Sequence, residues 1–341
     1  MMDWVGSSRY SNIAQPTVVE SRHFRYGSVE ATSVQQIMST LYISHSDCGL
    51  HEMSPRHPES PARLAAVNTA ITNAPWADEL CIETAEPISR ERLLAIHEER
   101  YLTQVWSADP GDGLAQIDAD TAMNKHSLRA ARLAAGAGVT ATTAVMKGEF
   151  NNSFCAVRPP GHHAESPVGM GFCLFNNIAL AAEQALSLGA ERIAIIDFDV
   201  HHGNGTVEIF LDRPEVMVCS SFQYPFYPGR FDAVAADNIC LTPLQEGTAG
   251  PAFRTAVDRD WSAALARHRP DIILVSAGFD AHREDPLAGC LLEDEDYSWV
   301  TEFIKDQATH WCQGRLVSML EGGYQLDALA RSARAHVAAL L

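Results

Sequence analysis

Short apolar runs alternate with longer segments of helical periodicity from Leu41 to the C-terminus. A continuous apolar run is typical of a strand that helices cover on both faces, because such a strand has no solvent-facing side. Five runs have this pattern: Phe154–Val157, Ile193–Ile196, Val216–Cys219, Ile272–Val275 and Leu316–Leu320. Leu41–Ile43 predicts a further, shorter strand ahead of them. The alternation of strands with helices predicts an α/β protein built on a parallel sheet.

The segments between these strands carry the helical patterns. The run from Asn177 to Leu188 is rich in Ala and Leu and ends at Gly189, as is typical of a helix C-terminus. The other predicted helices are Arg92–Trp106, Ser127–Met146, Thr255–Arg267, Asp294–Trp311 and Leu326–Leu340. No internal repeat and no linker rich in Pro or Gly divides the chain, so residues 41–341 are predicted to form one large domain.

Residues 1–40 lack this alternation and mix Ser, Thr, Gln and charged residues without a clear period. We interpret them as an N-terminal extension of the domain. It would serve as a tether or an interface arm, or it would lie upstream of the natural start. Its arginines leave a transit peptide open, although its acidic residues oppose that interpretation.

The composition narrows the classes of function. The chain has 25 Lys and Arg residues and 43 Asp and Glu residues, so its formal charge is −18. It has no run of basic residues that could bind nucleic acid. No stretch has the length and apolarity of a membrane span, and no secretory signal is visible. The eight cysteines are scattered without a C-x-x-C pair, which indicates reduced thiols. These features predict a cytoplasmic protein whose partners are neither nucleic acids nor membranes.

Polar residues follow each predicted strand at its carboxyl end. The five polar segments are His162-His163, Asp197–Gly205, Ser220-Ser221, Ser276–Asp280 and Glu321–Tyr324. In an open parallel sheet the ligand lies outside the carboxyl ends of the strands, so these remote segments are expected to meet at one crevice. Their convergence predicts an enzyme.

The segment Asp197-Phe-Asp199-Val-His201 places carboxylates and an imidazole two residues apart. Side chains at i and i+2 of an extended chain point to the same side, so Asp199 and His201 can bind one cation. Asp280 arrives from another strand end and completes a set with an open fourth position, which is typical of a catalytic zinc site. Manganese or ferrous iron also suits so oxygen-rich a set. The alternative is an ordinary loop with a capping aspartate and a solvent-facing histidine.

The adjacent pair His162-His163 supplies two further ligands or a base and its partner. The alternative is a core histidine beside a surface one, but the position next to the predicted metal favours a proton-transfer role. Tyr324 follows two glycines that let the backbone approach closely, so its phenol can stabilise a developing oxyanion. Its alternative is a tyrosine packed at a helix start.

Five ordered motifs together resemble one known family. They are Arg158-Pro-Pro-Gly-His-His-Ala164, Gly171-Phe-Cys-Leu-Phe-Asn-Asn177, Asp197-Phe-Asp-Val-His-His-Gly-Asn-Gly205, Ser276-Ala-Gly-Phe-Asp280 and Glu321-Gly-Gly-Tyr324. From about Leu41 to the C-terminus the chain closely resembles the zinc-dependent histone deacetylase family, which includes bacterial deacetylase-like amidohydrolases and acetylpolyamine amidohydrolases. The resemblance implies a single-domain arginase/deacetylase fold, with a parallel sheet of about eight strands flanked by helices on both faces.

The resemblance also implies roles for single residues. The implied ligands of one zinc ion are Asp199, His201 and Asp280. The implied catalytic residues are His162, His163 as the general base, and Tyr324 as the oxyanion donor. Behind them, Asp197 would hydrogen-bond His162 and Asn204 would face His163. Asparagine at 204 is similar to the class II branch, where an amide orients the histidine without adding a charge.

The substrate tunnel is implied in the same way. Gly171, Phe172, Tyr227 and Leu287 are the implied substrate-binding residues, with Phe172 and Tyr227 as aromatic walls. Arg63 resembles the family arginine beside the acetate exit, and its alternative is a surface arginine on a helix. A potassium ion is implied at Asp197, Asp199, His201 and Ser220.

The expected reaction is hydrolysis of an N-acetylated amine by a metal-activated water, and an acyl-lysine side chain is the favoured substrate. Leu287 is apolar where a polyamine-selective relative has an acidic gatekeeper. An acetylpolyamine deacetylase is the alternative, with Glu52, Asp118 or Asp120 as the source of the acid. A manganese ureohydrolase and a non-catalytic metal-binding protein are further alternatives, and a homo-oligomer is left open. The charge of −18 would attract either cationic substrate.

Overall fold

Eight strands form one sheet in which every neighbouring pair is parallel. The computed structural model describes residues 38–341. Its strands are β1 (Met38–Ser44), β2 (Leu80–Thr84), β3 (Ala115–Gln116), β4 (Ala122–Met123), β5 (Phe150–Ala156), β6 (Ile193–Asp197), β7 (Val216–Gln223), β8 (Ile239–Leu244), β9 (Ile272–Ala277) and β10 (Leu316–Leu320). The sheet order is β2-β1-β5-β10-β9-β6-β7-β8, and the short β3 and β4 pair antiparallel outside it.

Helices cover the sheet on both faces. They are α1 (Pro61–Thr72), α2 (Arg90–Leu93), α3 (Glu99–Ala108), α4 (Ser127–Met146), α5 (Asn177–Ser187), α6 (Asn204–Phe210), α7 (Gly250–His268), α8 (Asp294–Cys312) and α9 (Leu326–Leu340), with 3₁₀ turns at Ser46–Leu50 and Ala77–Glu79. Helices α4 and α5 pack against each other, while α1, α9, α8 and α7 pack in succession as a second group. Strand β5 contacts both α4 and α9, so the sheet lies between two helical layers.

The central strands confirm the pattern of continuous apolar runs. Every residue of β6, β7, β9 and β10 is buried, as expected for strands covered on both faces. The edge strands β2 and β8 were not predicted, because each exposes part of its length and therefore has no continuous apolar run. Pairing with β8 extends β7 to Gln223, so Ser220 and Ser221 lie within the strand rather than after it, which corrects the sequence prediction.

The predicted helix Arg92–Trp106 was wrong as one continuous helix, because α2 and α3 cover its two ends and residues 94–98 between them are not helical. His97 lies between them and is fixed by hydrogen bonds to distant segments. Its Nδ1 donates to the Glu165 carbonyl at 3.1 Å, and its Nε2 accepts from the Asn176 N–H at 3.0 Å. The N–H of Glu98 donates to the Ser166 carbonyl at 2.9 Å instead of to a helical partner. Tertiary hydrogen bonds therefore override the helical pattern here.

Of the predicted extension, residues 1–37 lie outside the described part of the chain, and β1 begins at Met38. Across residues 38–341, no helix combines the length and apolarity needed to cross a bilayer. The eight cysteines all lie in this part of the chain and are free thiols.

Candidate active site and metal centre

The loop after β5 carries the tandem histidines to the carboxyl edge of the sheet. The ring centroids of His162 and His163 are 4.0 Å apart, and both residues are buried. Glu321, directly after β10, holds this loop because its Oε2 accepts hydrogen bonds from the N–H groups of Gly161 at 2.6 Å and His162 at 3.2 Å. The other oxygen, Oε1, accepts from the Ser276 hydroxyl at 3.0 Å. Three strand ends are thereby tied together.

The two histidines have different partners. Nδ1 of His162 lies 2.9 Å from Oδ2 of Asp197, and Nδ1 of His163 lies 2.7 Å from Oδ1 of Asn204. Burial disfavours the charged imidazole, but Asp197 and Asp199 raise the pKa of His162 well above its usual range. Burial and the charges of His162 and His201 hold the pKa of His163 well below its usual range. Neighbouring titratable groups with pKa values pushed apart are typical of an acid and a base in one site.

The three predicted metal ligands meet beside this pair. Nδ1 of His201 lies 3.2 Å from Oδ1 of Asp199 and 3.0 Å from Oδ2 of Asp280. One potential ligand atom from each of the three lies within 4.8 Å of the others, and all three residues are buried. The N–H of Gly322 donates to Oδ2 of Asp199 at 2.8 Å, and a Cβ at this glycine would lie 2.1 Å from Oδ2 of Asp280. Only glycine therefore allows the backbone this close to both carboxylates.

A cavity opens onto these groups, with about 320 Å³ of free space when the part open to solvent is included. Its lining residues are Asp120, His163, Gly171, Phe172, His201, Tyr227, Leu287 and Tyr324. All four predicted substrate-binding residues are among them. Gly171 and Phe172 have positive φ angles of 56° and 68°, which turn the chain sharply at the wall. The arrangement can hold a slender chain whose end reaches the buried polar groups.

Tyr324 is fixed in the cavity wall from three sides. Its N–H donates to Oδ2 of Asp285 at 2.6 Å, its ring meets the Phe172 ring edge-on at 5.9 Å, and the Arg63 guanidinium lies 4.9 Å from its ring centroid. Burial and the charge of Asp280 raise the pKa of the Tyr324 phenol well above its usual range, so the hydroxyl stays protonated. Burial and Asp280 also raise the pKa of Asp285 to about 7.

Arg63 is buried, not a surface residue of α1. Its guanidinium donates to the carbonyl oxygens of Gly323 and Glu321, both at 2.5 Å, and to Oε1 of Glu59 at 3.0 Å. Glu59 also accepts two hydrogen bonds from Arg158, at the start of the tandem-histidine loop. This buried ion network therefore connects the histidine loop with the loop of Tyr324.

The remaining predicted residues divide between the cavity and other regions. Of the three acids considered for polyamine binding, only Asp120 lines the cavity, where its Oδ1 accepts from the Gly171 N–H at 3.0 Å. Glu52 lies on a separate surface groove. Asp197 and Ser220, predicted at the potassium site, are direct neighbours in the paired strands β6 and β7.

Sequence reasoning missed the roles of Asp285, Glu321 and Glu165. Each side chain holds a group of the site through hydrogen bonds to residues far away in the chain. Glu321 begins the motif Glu321–Tyr324, and Asp285 lies two residues before Leu287. No local pattern indicates the partners of either residue. Only the strand-end position of Glu321 could have pointed to the site.

Comparisons with known proteins agree with this geometry. The family model for the histone deacetylase domain matches residues 57–340. A probable deacetylase of Archaeoglobus fulgidus is 35% identical over 302 residues, covering 85% of this chain and 82% of that protein. A histone deacetylase-like amidohydrolase of Pseudomonas aeruginosa is 36% identical over 279 residues, covering 79% of this chain and 72% of that protein.

The crystal structure of the HDA15 HD domain has a TM-score of 0.83 and 33% identity, covering 89% of this chain and 88% of that one. This likeness confirms the predicted single-domain arginase/deacetylase fold. Because the family domain and these relatives cover most of the chain, the protein belongs to the histone deacetylase family, whose hydrolases act on acetylated substrates.

Proposed function

We propose that the protein is a zinc-dependent deacetylase that hydrolyses N-acetylated amines, with acyl-lysine side chains as the first substrate class. One observation carries this proposal. His201, which belongs to the buried Asp199, His201 and Asp280 set, lines the same cavity as His163 and Tyr324. A cation site, a base and a hydroxyl donor therefore face one substrate position.

The residues present fit a divalent cation. Asp199 and Asp280 are both buried, and within residues 38–341 their ion pairs are with histidines alone. One carboxylate oxygen of each lies within 4.8 Å of the other. Two buried carboxylates this close need a compensating positive charge, which one zinc ion would supply. When bound, zinc polarises a carbonyl group and makes a water molecule more acidic. We also propose a potassium ion near Asp197, Asp199, His201 and Ser220, held mainly by backbone oxygens.

The chain's own residues divide the proton transfers. His163, neutral because of its lowered pKa, accepts the proton of the attacking water. His162, paired with Asp197, stays close to its charged form and supports the return of a proton to the leaving amine. The Tyr324 hydroxyl donates to the oxygen that becomes negative in the tetrahedral intermediate. The products are a free amine and a carboxylate.

The cavity wall supports a substrate with a methylene chain. Phe172 and Tyr227 flank the space with aromatic rings, and Leu287 adds an apolar side chain. Acetylpolyamines are the second candidate, because the Asp120 carboxylate lines the same cavity and would attract an ammonium group.

The free cysteines fit a reducing compartment, so we place the activity in the cytoplasm.

Two measurements test the proposal. Mass spectrometry of the purified protein is expected to find one zinc ion per chain, and two manganese ions per chain would contradict the proposal in favour of a ureohydrolase. The second measurement compares kcat/KM on an acetyl-lysine peptide with acetylated putrescine, cadaverine and spermidine. A preference for the small amines above about 10²-fold, or ~2.7 kcal/mol at the transition state, would reverse the order of the two substrate classes.

A further inference from the structure

A buried chain of hydrogen bonds runs from His163 to the protein surface. Nδ1 of His163 lies 2.7 Å from Oδ1 of Asn204, and Nδ2 of Asn204 donates to Oε1 of Glu165 at 2.7 Å. The other carboxylate oxygen, Oε2, accepts from Nη2 of Arg230 at 2.6 Å. Asn204 and Glu165 are buried, whereas the Arg230 side chain is half exposed. The carboxylate therefore lies two hydrogen bonds from the proposed general base.

The carboxylate decides which way the Asn204 amide faces. An ionised carboxylate only accepts hydrogen bonds, so the NH₂ group of Asn204 must face Glu165 and the amide oxygen must face His163. An amide oxygen also only accepts, so Nδ1 of His163 must carry the proton. The other ring nitrogen of His163, Nε2, then keeps its lone pair. The His163 side chain lines the cavity.

Glu165 is itself held in place. Its carbonyl oxygen accepts from Nδ1 of His97 at 3.1 Å, and its N–H donates to the Val168 carbonyl at 3.0 Å. Nδ2 of Asn204 has a second, longer contact of 3.3 Å with the His163 carbonyl oxygen. Nδ2 also lies 3.5 Å from the Met170 sulfur, a weak acceptor. Since both of these contacts are longer and involve neutral acceptors, Glu165 is the strongest of the three acceptors that orient the amide.

We propose that Glu165 is a positioning residue, which fixes the Asn204 amide and through it keeps Nε2 of His163 free to accept a proton. The inference rests on the proposed amide hydrolysis, in which His163 is the base. It adds that a carboxylate assists the base through an intervening neutral amide. The Glu165 carboxylate thus orients His163 without contacting it directly.

The first test is the variant Glu165→Gln, measured with an acetyl-lysine peptide. The glutamine side chain can present either its oxygen or its NH₂ group to Asn204, so it no longer forces the Asn204 amide into one orientation. The variant is therefore expected to lose at least ~10-fold in kcat with little change in KM. The loss is bounded by the ~10²–10⁴ that a general base contributes. Glu208→Gln is the matched control, because Glu208 accepts from Ser166 instead and has no hydrogen bond to Asn204. Its kcat is expected to stay near that of the original protein.

The second test is the same substitution in an Asn204→Asp background. An aspartate presents an oxygen to His163 in either orientation, so Glu165 is no longer needed there and only repels the new carboxylate. Glu165→Gln is therefore expected to raise kcat in this background, although it lowers kcat in the original protein. A purely structural role of Glu165 would lower kcat in both backgrounds, which would overturn the proposal.

A spectroscopic measurement separates this inference from the proposed function. The ¹⁵N shifts of His163, assigned by comparison with a His163 variant, report which ring nitrogen carries the proton whether or not the protein is active. Protonated Nδ1 in the original protein and a mixture of tautomers in Glu165→Gln support the proposal. Unchanged tautomers in Glu165→Gln would overturn it, while absence of amide hydrolysis in the original protein would contradict only the proposed function.

Discussion

Removal of one hydroxyl group tests the oxyanion role of Tyr324. In Tyr324→Phe the ring is expected to stay in place, because its contacts with Phe172 and Arg63 involve the ring and its contact with Asp285 involves the backbone N–H. The substitution therefore removes a hydrogen-bond donor and little else. Because the pKa of Tyr324 is raised well above its usual range, that donor is protonated throughout the working pH range.

The expected loss in kcat can be estimated because the substitution removes a single hydrogen-bond donor. One preorganised donor to a developing oxyanion contributes ~10²–10³ in kcat, which is about 2.7–4 kcal/mol of transition-state stabilisation. An interaction made only in the transition state lowers kcat and kcat/KM by the same factor, so KM is expected to remain nearly constant. Bound metal and thermal stability are expected to change little, because the hydroxyl belongs to neither the ligand set nor the core.

Tyr227→Phe is the matched control in the same cavity. Tyr227 also lines the space, but the acid near its hydroxyl is Asp120, and the ring lies edge-on to His163 at 5.2 Å. Steady-state kinetics on an acetyl-lysine peptide, with metal content measured on the same samples, should show less than a ~10-fold loss for this variant. The oxyanion role would be refuted if Tyr324→Phe kept its turnover with its metal intact, or if both variants lost the same amount.

Three further predictions concern the groups around the site. The two carboxylate oxygens of Asp285 accept from the N–H of Leu287 and from the N–H groups of Tyr324 and Gln325, and Asp285→Asn leaves one oxygen for these donors. One side of this set then loses its acceptor, so kcat should fall about 10-fold and stability by ~1–3 kcal/mol; an unchanged denaturant midpoint would contradict this. Glu59 is buried, which disfavours its charge, yet Arg158 lowers its pKa to about 2. The lowered pKa contributes about 3 kcal/mol to the free energy of unfolding above pH ~4.5, and this contribution is lost as the pH falls towards 2. In urea unfolding, the difference in stability between the original protein and Glu59→Gln should therefore shrink between pH ~4.5 and 2. Removal of metal by a chelator should lower the melting temperature and zinc should restore it, because the buried carboxylates of Asp199 and Asp280 then keep only their histidine partners. Equal melting curves with and without metal, or an equal response of Asp280→Asn, would argue against a site there.

The parts of the fold that could be predicted depend on local signals. The central strands expose no face to solvent, so their sequences are continuous apolar runs, and the residues that follow them mark the carboxyl edge of the sheet. Asp199 and His201 lie two residues apart, so one loop brings them together. Such features need no knowledge of distant segments.

The parts that could not be predicted depend on contacts between distant residues. Strands β2 and β8 lie at the sheet edges, where partial exposure removes the continuous pattern. The break at His97 depends on the carbonyl of Glu165 and the N–H of Asn176, which lie 68 and 79 residues away in the chain. Glu321 holds Gly161 across 160 residues. None of these partners is marked by the spacing or type of the residues near it.

The charge of the chain and the charges of the cavity act at different ranges. The formal charge of −18 is spread over the chain, and salt at ~0.1 M screens exposed charges beyond about 10 Å, so it promotes encounter with any cationic substrate without selecting among them. Selection must come from the cavity, where Asp120 and Leu287 both line the wall. Asp120 can accept from the backbone N–H of a peptide as well as from an ammonium group, so it too serves both substrate classes. Leu287 differs, because an apolar side chain gives a distant ammonium no partner and leaves it to be desolvated at a cost. The order of acyl-lysine before acetylpolyamine therefore depends on Leu287 rather than on the acidity of the protein.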